Sequence, residues 1–182
     1  MQRVTTGHRS AAPWAAHRWA GTGLGWPADV LPAVFIGAIQ LVGTHFAAQG
    51  QPERQPLDLL ALALLVVGPA ALTGRRRYPV PVLAVVLAVT MTYFALGYPF
   101  GPIFLSLVVA LFTAVRAGRR LAAWLAAAVL VGSAGSAVAL GRHSGPSLAQ
   151  VVGVAAWLLV VLTAAEGARV GHERAVEAEH AR

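Results

Sequence analysis

The chain contains no cysteine, no lysine and only seven carboxylates among 182 residues. Without thiols there can be no disulfide, thiolate metal site or cysteine nucleophile. Charged residues make up 12% of the chain, against roughly 25% in ordinary soluble domains. So few charges cannot cover a water-facing surface, and with 57% hydrophobic residues and a mean hydropathy of +0.66 the fitting solvent is lipid. Recognisable chemistry is also missing. The sequence has no Walker loop, no Gly-rich dinucleotide fingerprint and no nucleophile elbow. No two histidines have zinc spacing beside a carboxylate. No catalytic, cofactor-binding or metal-ligating residue is therefore assigned, and no cofactor is expected.

What is present is a series of long apolar runs. A bilayer core of about 30 Å requires roughly 17–25 mostly apolar residues per helix. Six runs qualify, at about 28–48, 57–73, 80–97, 102–117, 121–140 and 148–165. The second and fourth are short for the task. The runs are continuous rather than alternating, which favours helices over barrel strands, and backbone in lipid must bond within its own segment. The expected fold is an all-α polytopic bundle of about six transmembrane helices. The connections GQPERQP, GRRRYP, YPFGP, AGRR and GRHSGPS supply the breaks.

All fourteen basic residues are arginine, a composition that suggests a GC-rich bacterial genome. They cluster between apolar runs, which points to membrane topology and away from nucleic acid. With the N-terminus inside, the inner segments hold Arg3, Arg9, Arg18, Arg75, Arg76, Arg77, Arg116, Arg119, Arg120, Arg169, Arg174 and Arg182. The outer segments hold only Arg54 and Arg142. Every alternate connection agrees, so an N-in, C-in multi-pass protein of the plasma membrane is expected. Arg75, Arg76, Arg77, Arg116, Arg119 and Arg120 act as its topology residues. The GRRRYP connection also suits anionic lipid headgroups.

The expected divisions are a cytoplasmic tail over 1–27, a transmembrane domain over 28–165 and a cytoplasmic exit helix over 166–182. Trp14, Trp19 and Trp26 suit an interfacial tail. The last stretch, EGARVGHERAVEAEHAR, is charged and free of proline, and reads as a helix that leaves the membrane. His172 and His180 on it read as solvated residues.

No charge lies deep in a run; Asp29, Asp58 and Glu166 fall at run ends and are expected at the interface. Gln40 and Thr44 share a helix face one turn apart. They read either as the lining of a ligand pocket or as interhelical hydrogen-bonding groups, the second being the commoner use. His45, near the outer end, is a weak candidate pH sensor. Gly132 and Ser136, with Ser133 and Gly135, form a small-residue surface expected to make a close helix contact, within the bundle or at a dimer interface, the first being the safer choice. YPFGP reads as a tight turn that sets Tyr98 and Phe100 at the outer interface.

Three stretches in order, RRRYPVPVLAVVLAV, YFALGYPFGP and LVVALFTAVRAGRR, followed by the charged exit, resemble the N-terminal membrane region of actinobacterial two-component sensor histidine kinases. The resemblance covers 57–182. It implies a membrane-embedded input module joined to a cytoplasmic kinase domain, which signals to a response regulator and works as a homodimer. The family's phosphoacceptor box and ATP-binding domain do not occur in these 182 residues, and neither His172 nor His180 matches the box. The resemblance thus implies the sensor portion alone: a truncated gene product, a fragment or a stand-alone remnant. A small transporter subunit and a structural membrane protein are the competing expectations.

Overall fold

The computed structural model describes residues 25–141 and 146–180, with side chains over 29–141 and 146–168 and at Val170. Arg3, Arg9, Arg18, Trp14, Trp19, Arg142 and Arg182 lie outside the described residues. The side chains of Trp26, Arg169, His172, Arg174 and His180 lie outside them too.

Every regular element among the described residues is helical: α1 (Gly25–Gln49), α2 (Leu59–Ala71) with a 3₁₀ turn (Leu72–Gly74), α3 (Pro79–Ala95), α4 (Phe104–Arg116), α5 (Arg120–Ala139) and α6 (Leu148–His180). Short connections make successive helices antiparallel. Asp29 at the start of α1 therefore meets Arg75 after α2, and Gln51 just after α1 meets Phe100 before α4. One end of the molecule, the arginine end, carries the turns 75–78 and 117–119. The opposite, aromatic end carries 50–58 and 96–103.

Local sequence sets the helix limits. The Asp58 carboxylate caps α2 by accepting the Ala61 N–H at 2.8 Å. Pro79 opens α3, where its missing N–H costs nothing. Gly118, at φ +77°, closes α4. That left-handed residue lets the Arg119 N–H reach the Ala114 carbonyl at 2.9 Å. At the start of α6, Ser147 and Gln150 bond each other's backbone N–H, a capping box.

The centre of the bundle is α4, which buries Leu107, Ala110, Leu111, Ala114 and Val115. Around it pack Leu72, Leu83 and Val86, with Ala123 and Leu130 from α5 and Leu158 and Leu162 from α6. A second cluster at the aromatic end gathers Ala61, Leu65, Tyr93, Tyr98 and Ile103. The outer faces are apolar too: Leu31, Phe35 and Phe46 on α1 and Leu121 on α5 are at least 65% exposed. Faces of that kind aggregate in water and are at home in hydrocarbon.

Three helical stretches among the described residues are long and apolar enough to cross a membrane: Asp29–Gln49, Arg120–Ala139 and Leu148–Ala168. The other three are shorter than the apolar runs suggest. The second run ends its α-helix at Ala71, and the fourth begins only at Phe104, since Pro102 belongs to a non-helical segment. At 1.5 Å per residue, α4 alone is about 20 Å long.

Candidate functional site

The main concentration of long-range polar contacts lies where the α3–α4 connection meets α1. From Phe100 to Ile103 the chain runs alongside α1 outside the regular helices, and the Pro102 carbonyl accepts the Leu105 N–H at 3.0 Å in a turn. Its exposed backbone groups find side-chain partners. Gln51 grips Phe100 with both halves of its amide: Nε2 donates to the Phe100 carbonyl at 3.2 Å, and Oε1 accepts the Phe100 N–H at 3.0 Å. Deeper in the bundle, Gln40 Nε2 donates to the Ile103 carbonyl at 2.7 Å and, more distantly, to Pro102 at 3.4 Å. Gln40 Oε1 accepts the Ser106 hydroxyl at 3.2 Å. Gln40 sits nine residues before the end of α1, about 13 Å along the axis. The connection is thus a re-entrant segment, and α4 starts well inside the bundle. Non-helical backbone at that depth survives only with such partners.

Two glycines allow the approach. A Cβ on Gly43 would lie 2.6 Å from Pro102 Cγ, and one on Gly101 would lie 2.8 Å from Thr44 Cα. Thr44 is fully buried against Gly101, and its hydroxyl has no hydrogen-bond partner among the described residues. Gln40 and Thr44 therefore share a face, as their spacing predicts. The Gln40 amide holds backbone and Ser106, and both residues are fully buried.

The same segment is tied to α2 and α3. Tyr98 donates to Asp58 Oδ1 at 2.7 Å, and Tyr93 donates to the Pro99 carbonyl at 3.1 Å. The Ala61 N–H and then the Tyr98 hydroxyl hold the Asp58 carboxyl below its usual range; the same carboxylate, with burial, raises the Tyr98 phenol. Arg54 lies 4.1 Å above the Phe100 ring, and Phe94 stacks between Phe100 and Phe104. Tyr98 is buried against the bundle, and its hydroxyl reaches the exposed Asp58 at the aromatic end.

The arginine end has a different lock. Asp29, expected at the interface, is 8% exposed. Its Oδ1 lies 3.0 Å from Arg75 Nη2 and 2.8 Å from Arg76 Nε. Arg75 is enclosed with it, whereas the Arg76 side chain is two-thirds exposed. Arg77 lies over Tyr78 and Arg116 over Phe112. Arg119 and Arg120 are exposed at the start of α5. The six topology residues thus gather at one end of the molecule. His45, near the far end of α1, stands edge-on to Phe46.

The small-residue surface of α5 does not pack within the bundle. A Cβ on Gly132 or Gly135 would meet nothing within 4 Å, and Ser136 bonds only the Ser133 carbonyl of its own helix. The face that α5 turns to the bundle is set by Ala123, Ala126, Ala127 and Leu130. Beside α4 a groove of about 270 Å³ is lined by Pro102, Phe104, Leu105, Gly153, Val154 and Trp157. Its lining is apolar and offers nothing to orient a polar substrate. Among the described residues, no three metal-ligating side chains come together. No protein-family model, curated protein or solved structure matches the chain.

Proposed function

We propose that this chain is the membrane-embedded input module of a two-component sensor kinase, crossing the plasma membrane six times with both ends in the cytoplasm. The observation that carries the reading is α6. It runs unbroken from Leu148 to His180, and its first part, to Ala168, is apolar enough to cross a bilayer. Its last part is charged. One rigid helix that begins in the bundle and leaves it can carry a change in bundle packing to a cytoplasmic kinase domain, and through it to a response regulator. The bundle supplies the reference against which α6 shifts, and a homodimer would present two such helices side by side.

The proposed orientation is supported by the arginines, which collect at the 75–78 and 116–120 turns and leave only Arg54 at the other described end. Six crossings require the short helices to be lengthened. For α2 the 3₁₀ turn does this; for α4 the re-entrant segment does it.

Ala168→Pro breaks α6 where it leaves the apolar part. Installed in the chain fused to a kinase output domain, it should abolish signal-dependent phosphorylation while membrane insertion stays intact. Unchanged output would overturn the coupling. Reporter fusions at Arg76 and Arg119 should read as cytoplasmic, and an external reading at either position would overturn the orientation.

A small transporter subunit is the second reading, favoured by the non-helical segment at depth, since broken helices often surround transported solutes. The absence of cysteine makes the distinction direct. Thr44→Cys should resist a membrane-impermeant maleimide in the sensor, and should react in a transporter whose pathway passes the Gln40–Thr44 face.

A further inference from the structure

Four guanidinium groups at the arginine end form no ion pair among the described residues; the neighbouring Glu166 carboxylate is bonded to Trp124 instead. Arg75 and Arg76 already share Asp29; Arg77 and Arg116 have only aromatic faces beneath them, and Arg119 and Arg120 are exposed. The two turns that carry these four lie at the same end of the bundle, and the 3₁₀ turn Leu72–Gly74 before one packs on α4, whose last turn leads into the other. The first turn of α5 begins at Arg120 with no side-chain cap, which leaves its N–H groups pointing into the same region.

Each basic turn is bordered directly by exposed hydrocarbon. Leu121 is 74% exposed next to Arg120, and Tyr78 and Val80 are 53% and 38% exposed next to Arg77. Nucleic acid or free phosphate would satisfy the arginines and leave these side chains in water. A ligand that joins an anion to an acyl chain satisfies both. We propose that the arginine end binds anionic phospholipid, the phosphodiester lying between the two turns and the acyl chains against Leu121 and Val80. The inference rests on the membrane reading of the chain, and it requires neither the kinase nor a particular orientation.

The full chain, reconstituted with equal phosphatidylglycerol and phosphatidylcholine and released into detergent, can be weighed with its retained lipid by native mass spectrometry. Phosphatidylglycerol should be enriched over phosphatidylcholine by about fivefold or more, the scale of one arginine at a membrane surface. The triple variant Arg77→Gln, Arg119→Gln, Arg120→Gln should bring the two lipids level. Arg54→Gln, the same charge loss at the opposite end, should leave the enrichment in place. Free glycerol phosphate should not displace the lipid. Equal retention of the two lipids by the unaltered chain overturns the proposal, as does a triple variant that keeps the enrichment. Displacement by glycerol phosphate would assign the end to a soluble phosphate instead. Retention of neither lipid would count against the membrane reading itself.

Discussion

Helices α1 to α4 and the hairpin of α5 and α6 bury side chains in the same core, yet they are fastened to it by different means. Among the first four, polar side chains reach from one element to another at both ends: Gln40, Gln51 and Tyr98 at the aromatic end, Asp29 with Arg75 at the arginine end. Between α5 and α6 the described polar contact is a single exposed one, from Trp124 Nε1 to Glu166 Oε1 at 3.3 Å. Ser133, Ser136 and Thr163 bond carbonyls of their own helices. In lipid, apolar surface gains little by leaving its surroundings, so hydrogen bonds and close fit decide how firmly helices hold. The first four helices therefore form the stiffer body, and the hairpin that ends in the long α6 is the part freer to shift. Such a division suits the proposed signalling role.

The sharpest way to break the stiff body is to remove Asp29. Asp29→Ala leaves Arg75 enclosed without its counter-charge, and stranding one member of a buried ion pair typically costs about 3–5 kcal/mol. Thermal unfolding in a fixed detergent should show a large drop in midpoint, greater than that of any polar or glycine substitution elsewhere in the bundle. Arg76→Gln, which removes the exposed partner, should cost less than about 1 kcal/mol. Equal effects would mean that Asp29 is not the hub of the arginine end.

Next in size is Gln40→Leu. Its volume is close to that of Gln, but it leaves the Ile103 carbonyl and the Ser106 hydroxyl without their partner. A buried group so stranded costs about 1–3 kcal/mol. The loss should be local. Hydrogen exchange should quicken at the start of α4, around Phe104 to Leu107, and stay unchanged in α5. If protection fell evenly through all six helices, the re-entrant segment would not be a separately held feature.

A smaller effect should follow pH. The depressed Asp58 carboxyl contributes stability that is complete above its ordinary value of 3.8 and is lost as acid takes the pH down through the lowered one. The raised Tyr98 phenol works the other way: its contribution is complete below 10.0 and is lost as pH climbs through the raised value. The difference in melting temperature between the unaltered chain and Tyr98→Phe should therefore be flat between those limits and shrink outside both. A difference that already fell at neutral pH would show that another group governs the aromatic end.

Much of this arrangement could be read from residue order. Continuous apolar runs broken by Gly, Pro and Arg place all six helices, and the arginine triplets mark one end of the molecule. The depth of the α3–α4 connection could not be read in the same way. YPFGP is as good a composition for a surface hairpin as for a re-entrant segment, because both need proline and glycine. The signal that could have found it was a polar residue well inside each of two apolar runs, Gln40 and Ser106, with Gln51 just beyond the first; each needs a partner in lipid, and unpaired backbone is one. Asp29 was hidden for a related reason. A carboxylate near the start of a run suits the interface as well as a buried pair, and only the return of Arg75 beside it decides. The face of α5 was equally obscure, because a helix so rich in alanine has scarcely any apolar stripe to set against its glycines.

The glycines of α5 and α6 give the smallest expected effect, and their contrast with those among the first four helices tests the difference between the two regions. Gly43 and Gly101 leave no room for a methyl group, since Pro102 and Thr44 already occupy that space. Gly132, Gly135 and Gly153 would place a Cβ where nothing lies within 4 Å. Substitution of each of these three by Ala should change the melting midpoint by an amount equivalent to no more than about 1 kcal/mol. Any bias should be towards gain, because alanine favours helix over glycine by up to about 1 kcal/mol. A marked loss at Gly132 or Gly135 would mean that something covers the face described as open. The described residues leave it bare, so a covering surface supplied by a second copy would make the loss deepen as the protein is concentrated, and one supplied by the same chain would leave it independent of concentration.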